Sequence, residues 1–169
     1  MRALLIKSHS IVSKNTGVTP PLGLMYLAAY IRAQPGVQVK IFDAKFAQDP
    51  LVSLAEAIRA WKPDVVGISC LTAEATLAMQ IARVTRRVLP EVPVILGGPH
   101  PSAFFAEVLD EPAVDVAVIG EGEETFAALV ELIGAEGPAW CIPDNLAGIQ
   151  GLAYRDHDGS VLLSSPRSP

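Results

Sequence analysis

The chain has 169 residues, half of them apolar and 18% charged, which suits a single domain with a sizeable core and excludes a disordered segment. Its net charge of −5 argues against a broad basic surface for nucleic acid. Two cysteines, Cys70 and Cys141, lie far apart and form neither a metal-ligand spacing nor a secreted disulfide framework; the short apolar start is no signal peptide or membrane span, so a soluble cytoplasmic protein is the default expectation.

Ala3, Leu4, Leu5 and Ile6 read as a short buried strand. Residues 7–19 are polar and long for a connection, a length that goes with function in compact domains. Pro20-Pro21 open a helix striped by Leu24, Leu27, Ala28 and Ile31, which Gln34-Pro35-Gly36 stops. Val37, Val39 and Ile41 alternate as a second strand running to Asp43. Leu54, Ala57, Ile58 and Trp61 mark a second helix, broken at Lys62-Pro63-Asp64. Val65-Val66-Gly67-Ile68 is a third strand, ending at Ser69-Cys70-Leu71-Thr72; Leu77, Ile81, Val84 and Val88 stripe the helix that follows, up to Pro90.

Val94-Ile95-Leu96 and residues 114–119 are strands four and five. A short helix over 102–109 separates them, and Phe126, Leu129, Val130 and Ile133 stripe a last helix. Residues 134–145 read as a linker or loop. Residues 148–154 and 160–163 flank the turn signal Asp156-His157-Asp158-Gly159 and predict a hairpin, and 164–169 carry no core pattern. Strand and helix alternate five times, so the expected fold is a doubly wound α/β sheet whose ligand sits at the carboxyl ends of the strands.

The residues at those ends are Ser8-His9, the turn from Ser69 to Thr72, Gly97-Gly98-Pro99-His100 and Glu121-Gly122-Glu123-Glu124-Thr125. Glycines admit a bulky ligand close to backbone, hydroxyls donate to it, and helix-start amides favour a phosphate. The set suits holding a large, partly apolar ligand better than attacking one. No GxxxxGK[ST] is present, no GxGxxG follows the first strand, and Gly67-x-Ser69 lacks the second glycine of a hydrolase elbow. Lys7, Ser8 and Ser69 stand where a phosphoacceptor receiver would carry acidic residues.

Four stretches carry a resemblance: Pro20-Pro21-Leu22-Gly23-Leu24-Met25-Tyr26-Leu27, Val66-Gly67-Ile68-Ser69-x-Leu71-Thr72, Gly97-Gly98-Pro99-His100-Pro101, and Gly120-Glu121-Gly122-Glu123-Glu124-Thr125-Phe126. In this order the chain resembles the cobalamin-binding domain of cobalamin-dependent radical S-adenosylmethionine enzymes, of the anaerobic magnesium-protoporphyrin monomethyl ester cyclase type, whose pattern cobalamin-dependent methylases share. Gly151-Leu152-Ala153-Tyr154-Arg155 resembles the hairpin leading towards the radical domain. The resemblance implies a flavodoxin-like five-stranded parallel sheet of order 2-1-3-4-5 with a C-terminal hairpin. It implies a cobalamin domain over 1–147, a hairpin extension over 148–163, and a linker or tail over 164–169 towards a catalytic domain. It also implies base-off cobalamin with its tail in the cleft at the strand ends.

Tail contacts would fall to Ser69, Leu71, Thr72, Gly97 and Gly98, while Pro99, His100, Glu121, Gly122 and Glu123 would lie near the corrin ring or nucleotide loop. The DxHxxG motif that supplies a lower histidine ligand in many cobalamin domains is here Lys7-Ser8-His9-Ser10-Ile11-Val12, with the histidine but neither the aspartate nor the glycine. His9 is thus either a cobalt ligand or a loop histidine, and no other metal ligand is expected. The iron-sulfur cluster and S-adenosylmethionine would belong to the radical domain, since two distant cysteines cannot form CxxxCxxC.

Plainer roles stand beside these. His100 could fix its own turn; Ser69 and Thr72 could cap the third helix. Glu121, Glu123 and Glu124 could serve the helix dipole, Asp43 could cap the loop after strand two, and His157 could simply be a hairpin-turn residue. A flavodoxin-like signalling domain without corrinoid, and a stand-alone corrinoid shuttle protein, are the alternative functions.

Overall fold

A computed structural model describes residues 1–9 and 19–167. Its centre is one seven-stranded sheet of order β2-β1-β3-β4-β5-β6-β7. The strands β1 (Arg2–Lys7), β2 (Gln38–Asp43), β3 (Val65–Ser69), β4 (Val94–Gly97) and β5 (Val116–Val118) are parallel, in the expected order 2-1-3-4-5. β6 (Leu152–Arg155) and β7 (Val161–Leu163) form the expected hairpin. The hairpin continues the sheet, with β6 antiparallel to β5 and Ala117 opposite Ala153.

Successive strand residues point to opposite faces, and two helical layers divide them. Leu4, Ile6, Val66, Ile68, Val94, Leu96 and Ala117 pack under α2 (Pro50–Trp61), α3 (Ala75–Val88) and α4 (Pro99–Leu109). Ala3, Leu5, Val65, Ile95, Val116 and Val118 pack under α1 (Leu22–Arg32) and α5 (Glu123–Glu136).

Local chemistry sets most boundaries. α2 starts where Asp49 accepts from the Leu51 and Val52 amides at 3.1 and 3.2 Å, with Pro50 in the first turn. It stops at Lys62, which adopts a left-handed conformation with φ 51°. α4 starts at Pro99, three residues before the expected 102, because a proline fits a first helical turn and lends it no missing donor. β5 is shorter than the expected 114–119. The Asp115 carboxylate takes the Val94 amide at 2.7 Å and Arg86 at 2.7 Å, and Arg155 collects the Leu109, Glu111 and Val114 carbonyls, so side chains supplement the backbone bonds from Asp115 to the Val94 carbonyl and from Ile119 to the Gly151 carbonyl.

The stretch 134–145 is not a loop. α5 continues to Glu136, a 3-10 turn covers Gly137–Cys141, and α6 spans Pro143–Leu146. Trp140 and Leu146, 5% and 1% exposed, close the core on the α1–α5 side. The segment after β7 is also tied down. Ser165 accepts from the Gly151 amide at 2.9 Å, and Arg167 pairs with Glu124 and donates to Thr125 Oγ1 at 3.1 Å.

Candidate functional site

On the α2–α3–α4 face the strands are filled to their carboxyl ends by Ile68, Leu96 and Ala117. On the α1–α5 face the equivalent end positions carry Gly67, Ser69 and Gly97, with Val118 on β5. The missing bulk leaves a cavity of about 400 Å³ at the carboxyl ends of β3, β4 and β5. Gly23, Leu24 and Leu27 of α1 form one wall and Phe126 of α5 the other. The turns Gly98-Pro99 and Gly120-Glu121-Gly122-Glu123 make its rim.

Two glycines are required by geometry. A Cβ on Gly67 would lie 2.8 Å from Phe126 Cε2 and 3.0 Å from Leu5 Cδ2, so the ring can cover the strand only because the residue is glycine. Gly98 has φ 103°, and a Cβ there would meet the Cys70 carbonyl oxygen at 3.0 Å. That close approach lets the turns interlock. The Cys70 amide donates to the Gly97 carbonyl at 2.9 Å and the His100 amide to the Cys70 carbonyl at 3.1 Å. Ser102 Oγ donates to the Gly98 carbonyl at 2.9 Å and accepts from the Gly120 amide at 3.0 Å. The turns after β3, β4 and β5 are therefore joined in series by backbone and one hydroxyl.

Beside the cavity, between β1 and β3, lies a polar network. The Glu74 carboxylate, in a buried residue, accepts from Lys7 Nζ at 2.5 Å and from the Leu71 amide at 3.2 Å. Ser8 Oγ is 3.1 Å from the same carboxylate and 2.7 Å from the Ser69 carbonyl. Its single proton is best placed on the nearer oxygen. Burial pushes the Cys70 thiol up to about 12, with the Glu74 charge adding to the rise and Lys7 opposing it.

Seven of the residues expected from the sequence line the cavity: Ser69, Gly97, Gly98, Pro99, Glu121, Gly122 and Glu123. Leu71, Thr72 and His100 do not. Leu71 and Thr72 are exposed in the turn that Glu74 fastens. His100, in the first turn of α4, is buried on that helix's inner side, 5.2 Å from the Phe104 ring between centroids, and its Nδ1 is buried without a hydrogen-bond partner among the described residues. Neither Ser69 nor Thr72 caps α3, because the Glu74 side chain takes the turn's free amide. Asp43 does cap, accepting from the Lys45 amide at 3.0 Å. Glu123 and Glu124 sit in the first turn of α5, where the dipole favours them. His9 ends the described part of the first loop, half-buried and outside the cavity lining; Ser10, Ile11 and Val12 lie outside the described residues.

The sequence reading missed Lys7 and Glu74 as partners, and Gly23, Gly67, Ser102 and Phe126 as lining. A glycine inside a buried apolar strand was the available signal for Gly67. Leu24 and Leu27 carry no such signal, since a cavity wall and a core stripe have the same period.

Among the described residues no three His, Cys, Asp or Glu groups are disposed to hold a metal ion, and no helix is long and apolar enough to cross a membrane. The cavity instead has apolar walls, with glycines among its lining and its rim formed by the turns after β4 and β5.

An α/β sheet of this class takes its ligands at the strand carboxyl ends, where this cavity opens. The B12 binding domain model matches residues 8–130, and the chain belongs to that family. It is 34% identical over 173 residues to an uncharacterised methyltransferase of Pyrococcus horikoshii, covering 99% of this chain and 35% of that protein. It is 30% identical over 172 residues to the anaerobic magnesium-protoporphyrin IX monomethyl ester cyclase of Rubrivivax gelatinosus, covering 100% of this chain and 30% of that one. The chain thus spans about a third of the length of these curated relatives.

Its fold matches that of the cobalamin-dependent S-adenosylmethionine radical enzyme OxsB, solved with aqua-cobalamin bound, with TM-score 0.83 at 17% identity over 99% of this chain and 22% of that one. The radical S-adenosylmethionine methyltransferase TsrM of Kitasatospora setae, solved with cobalamin and a [4Fe-4S] cluster, gives TM-score 0.80 at 20% identity over 99% and 29%. The chain is a cobalamin-binding domain akin to those of cobalamin-dependent radical S-adenosylmethionine enzymes.

Proposed function

We propose that this chain holds cobalamin base-off, with the dimethylbenzimidazole tail in the cavity and the corrin over the strand ends. In this reading it is the cofactor module of a longer radical S-adenosylmethionine methylase or cyclase. The observation that carries it is the cavity lined by the small residues Gly67, Ser69 and Gly97, on one face of a sheet whose other face is filled. A flat aromatic tail needs a slot between sheet and helix, and Leu24, Leu27 and Phe126 supply apolar walls for it. Ser69, Gly97 and Gly98 then contact the tail. Pro99, Glu121, Gly122 and Glu123 border the nucleotide loop or corrin edge.

Cobalamin supplies a cobalt centre able to carry a methyl group or take part in electron transfer. The protein's own work is to bind, orient and keep water out. The interlocked turns hold the rim rigid, and Lys7 with Glu74 fixes the β3 turn. The iron-sulfur cluster, S-adenosylmethionine and substrate belong to the remainder of the longer protein.

The test is direct. The chain is incubated with hydroxocobalamin, desalted, and its visible spectrum recorded. A retained base-off corrin spectrum, unchanged by His9→Ala, is the expected result. Absence of retained corrin overturns the reading, and a spectrum altered by His9→Ala replaces it with lower-face histidine ligation.

A further inference from the structure

The inner walls of the cavity carry no charge. Leu24 and Leu27 of α1, Ile95 of β4, Val118 of β5 and Phe126 of α5 form them, and all belong to the apolar layer beneath α1 and α5. The acids of the lining, Glu121 and Glu123, stand on the rim, in the turn after β5 and the first turn of α5.

Most polar atoms along the strand ends are already engaged within the protein. The Ser69 carbonyl accepts from the Ser8 amide and, at 2.7 Å, from Ser8 Oγ. The Gly97 carbonyl accepts from the Cys70 amide, and the Gly98 carbonyl from both the amide and the hydroxyl of Ser102. That hydroxyl has given its only proton. Among the described residues, Ser69 Oγ is the lining hydroxyl left to meet a ligand. A flat base between sheet and helix therefore meets apolar surface and one hydroxyl.

We propose that this slot selects the lower base of the corrinoid, taking a benzimidazole or phenol base and rejecting an adenine, a proposal that rests on the reading of the cavity as the tail slot. A benzimidazole held off the cobalt presents one ring nitrogen, which one hydroxyl can meet, and its edges are otherwise apolar. A phenol base asks for less still. An adenine brings an amino group and further ring nitrogens, and each that enters without a partner gives up its bonds to water. Glu121 and Glu123 stand at the rim, away from a base seated between the walls. Cobalt chemistry works in the opposite direction. Adenine is the weaker ligand and leaves the metal more readily, so a preference for the benzimidazole form has to come from the protein.

The test compares hydroxocobalamin, its adeninyl and cresolyl analogues, and cobinamide, which has no base, by spectral titration of the chain. The adeninyl form should bind about ten- to a hundredfold more weakly than hydroxocobalamin. The cresolyl form, whose base cannot bind cobalt, should bind at least as tightly as hydroxocobalamin. Equal affinity for the adeninyl and benzimidazole forms overturns the proposal, as does a cresolyl form held no better than the adeninyl one. Leu27 is half-buried on α1, and glutamine is a good helix former, so Leu27→Gln places an amide in the wall and keeps the helix. In that variant the gap between hydroxocobalamin and the adeninyl form should narrow; an unchanged gap overturns the assignment of selectivity to these walls. Cobinamide bound as tightly as hydroxocobalamin would take the tail out of the cavity, and retention of no corrinoid would remove the cofactor reading; the proposal falls with either. Lost selectivity with cobinamide still weak overturns the proposal alone and leaves the tail slot standing.

Discussion

The two faces of the sheet are built from the same strands and reach opposite results. Under α2 and α3 the alternate residues Val66, Ile68, Val94 and Leu96 are buried and the layer is solid. Under α1 and α5 the small residues after them, Ser69 and Gly97, border a cavity, and the Phe126 ring covers Gly67 beside it. Each absent Val- or Leu-sized side chain forgoes roughly 1.5–3 kcal/mol of apolar burial. The filled face holds the fold together, and the open one keeps apolar surface available to a ligand. A parallel sheet can do both because neighbouring positions in sequence belong to different layers.

The sharpest way to break this comparison is to add the same bulk to each face. Gly67→Val would drive side-chain atoms into the Phe126 ring and the cavity. Corrin retained after desalting should fall by more than about tenfold, while far-UV circular dichroism keeps its α/β form. Ala78→Val overpacks the filled face. It should lower the urea-unfolding free energy by about 1–3 kcal/mol and leave corrin retention unchanged. Equal loss of corrin in both variants would mean that the cavity is not the binding slot.

The asymmetry was only half legible in the sequence. The five βα units were readable because four strands are compact apolar runs, as at Val65-Val66-Gly67-Ile68-Ser69, and the second alternates from Val37 to Ile41. The turn residues of the site were readable for the same reason. Leu71, Thr72 and His100 were expected in the site because they share those turns. A turn, however, points its side chains in several directions: Leu71 and Thr72 face solvent, and His100 is buried on the inner side of α4. Helix walls such as Leu27 were invisible, since periodicity names the inward side of α1 but not whether protein or cavity lies beneath it. The Lys7–Glu74 pair joins residues 67 positions apart, a contact that only strand order creates. Residues 137–146 misled because Gly137-Pro138 and Pro143 look like loop punctuation, although proline also starts short helical turns.

A stability effect of the same order tests the seam between the two faces. Glu74 holds Lys7 and the Leu71 amide, and its side chain is only 10% exposed. Glu74→Gln keeps the shape and one acceptor but leaves the Lys7 ammonium without its counter-charge. Since Lys7 is 23% exposed and can turn towards water, the cost belongs below that of a fully buried broken pair, at about 1–3 kcal/mol by urea unfolding. Hydrogen exchange should quicken first at the Leu71 amide. An unchanged Leu71 amide would show that the turn is set by the Gly97 and Gly98 backbone alone.

The smallest expected effect concerns the thiols and leaves the protein unsubstituted. Cys70 packs in the core of the filled face, and Cys141 is exposed in the turn before α6. Burial raises the Cys70 pKa to about 12, so raising the pH to 9, where an ordinary thiol of pKa 9.0 is half ionised, leaves Cys70 protonated. Only the thiolate attacks a disulfide reagent. Titration with dithionitrobenzoate at pH 8 should therefore release one equivalent of chromophore from the folded chain, from Cys141, and two after unfolding in guanidinium. Repeating the titration with hydroxocobalamin bound should leave the count at one, because the ligand fills the other face. Rapid reaction of two thiols in the folded chain would mean that the filled face opens on the timescale of the assay, and the contrast between a solid layer and an open one would fail at the residue where it is most exacting.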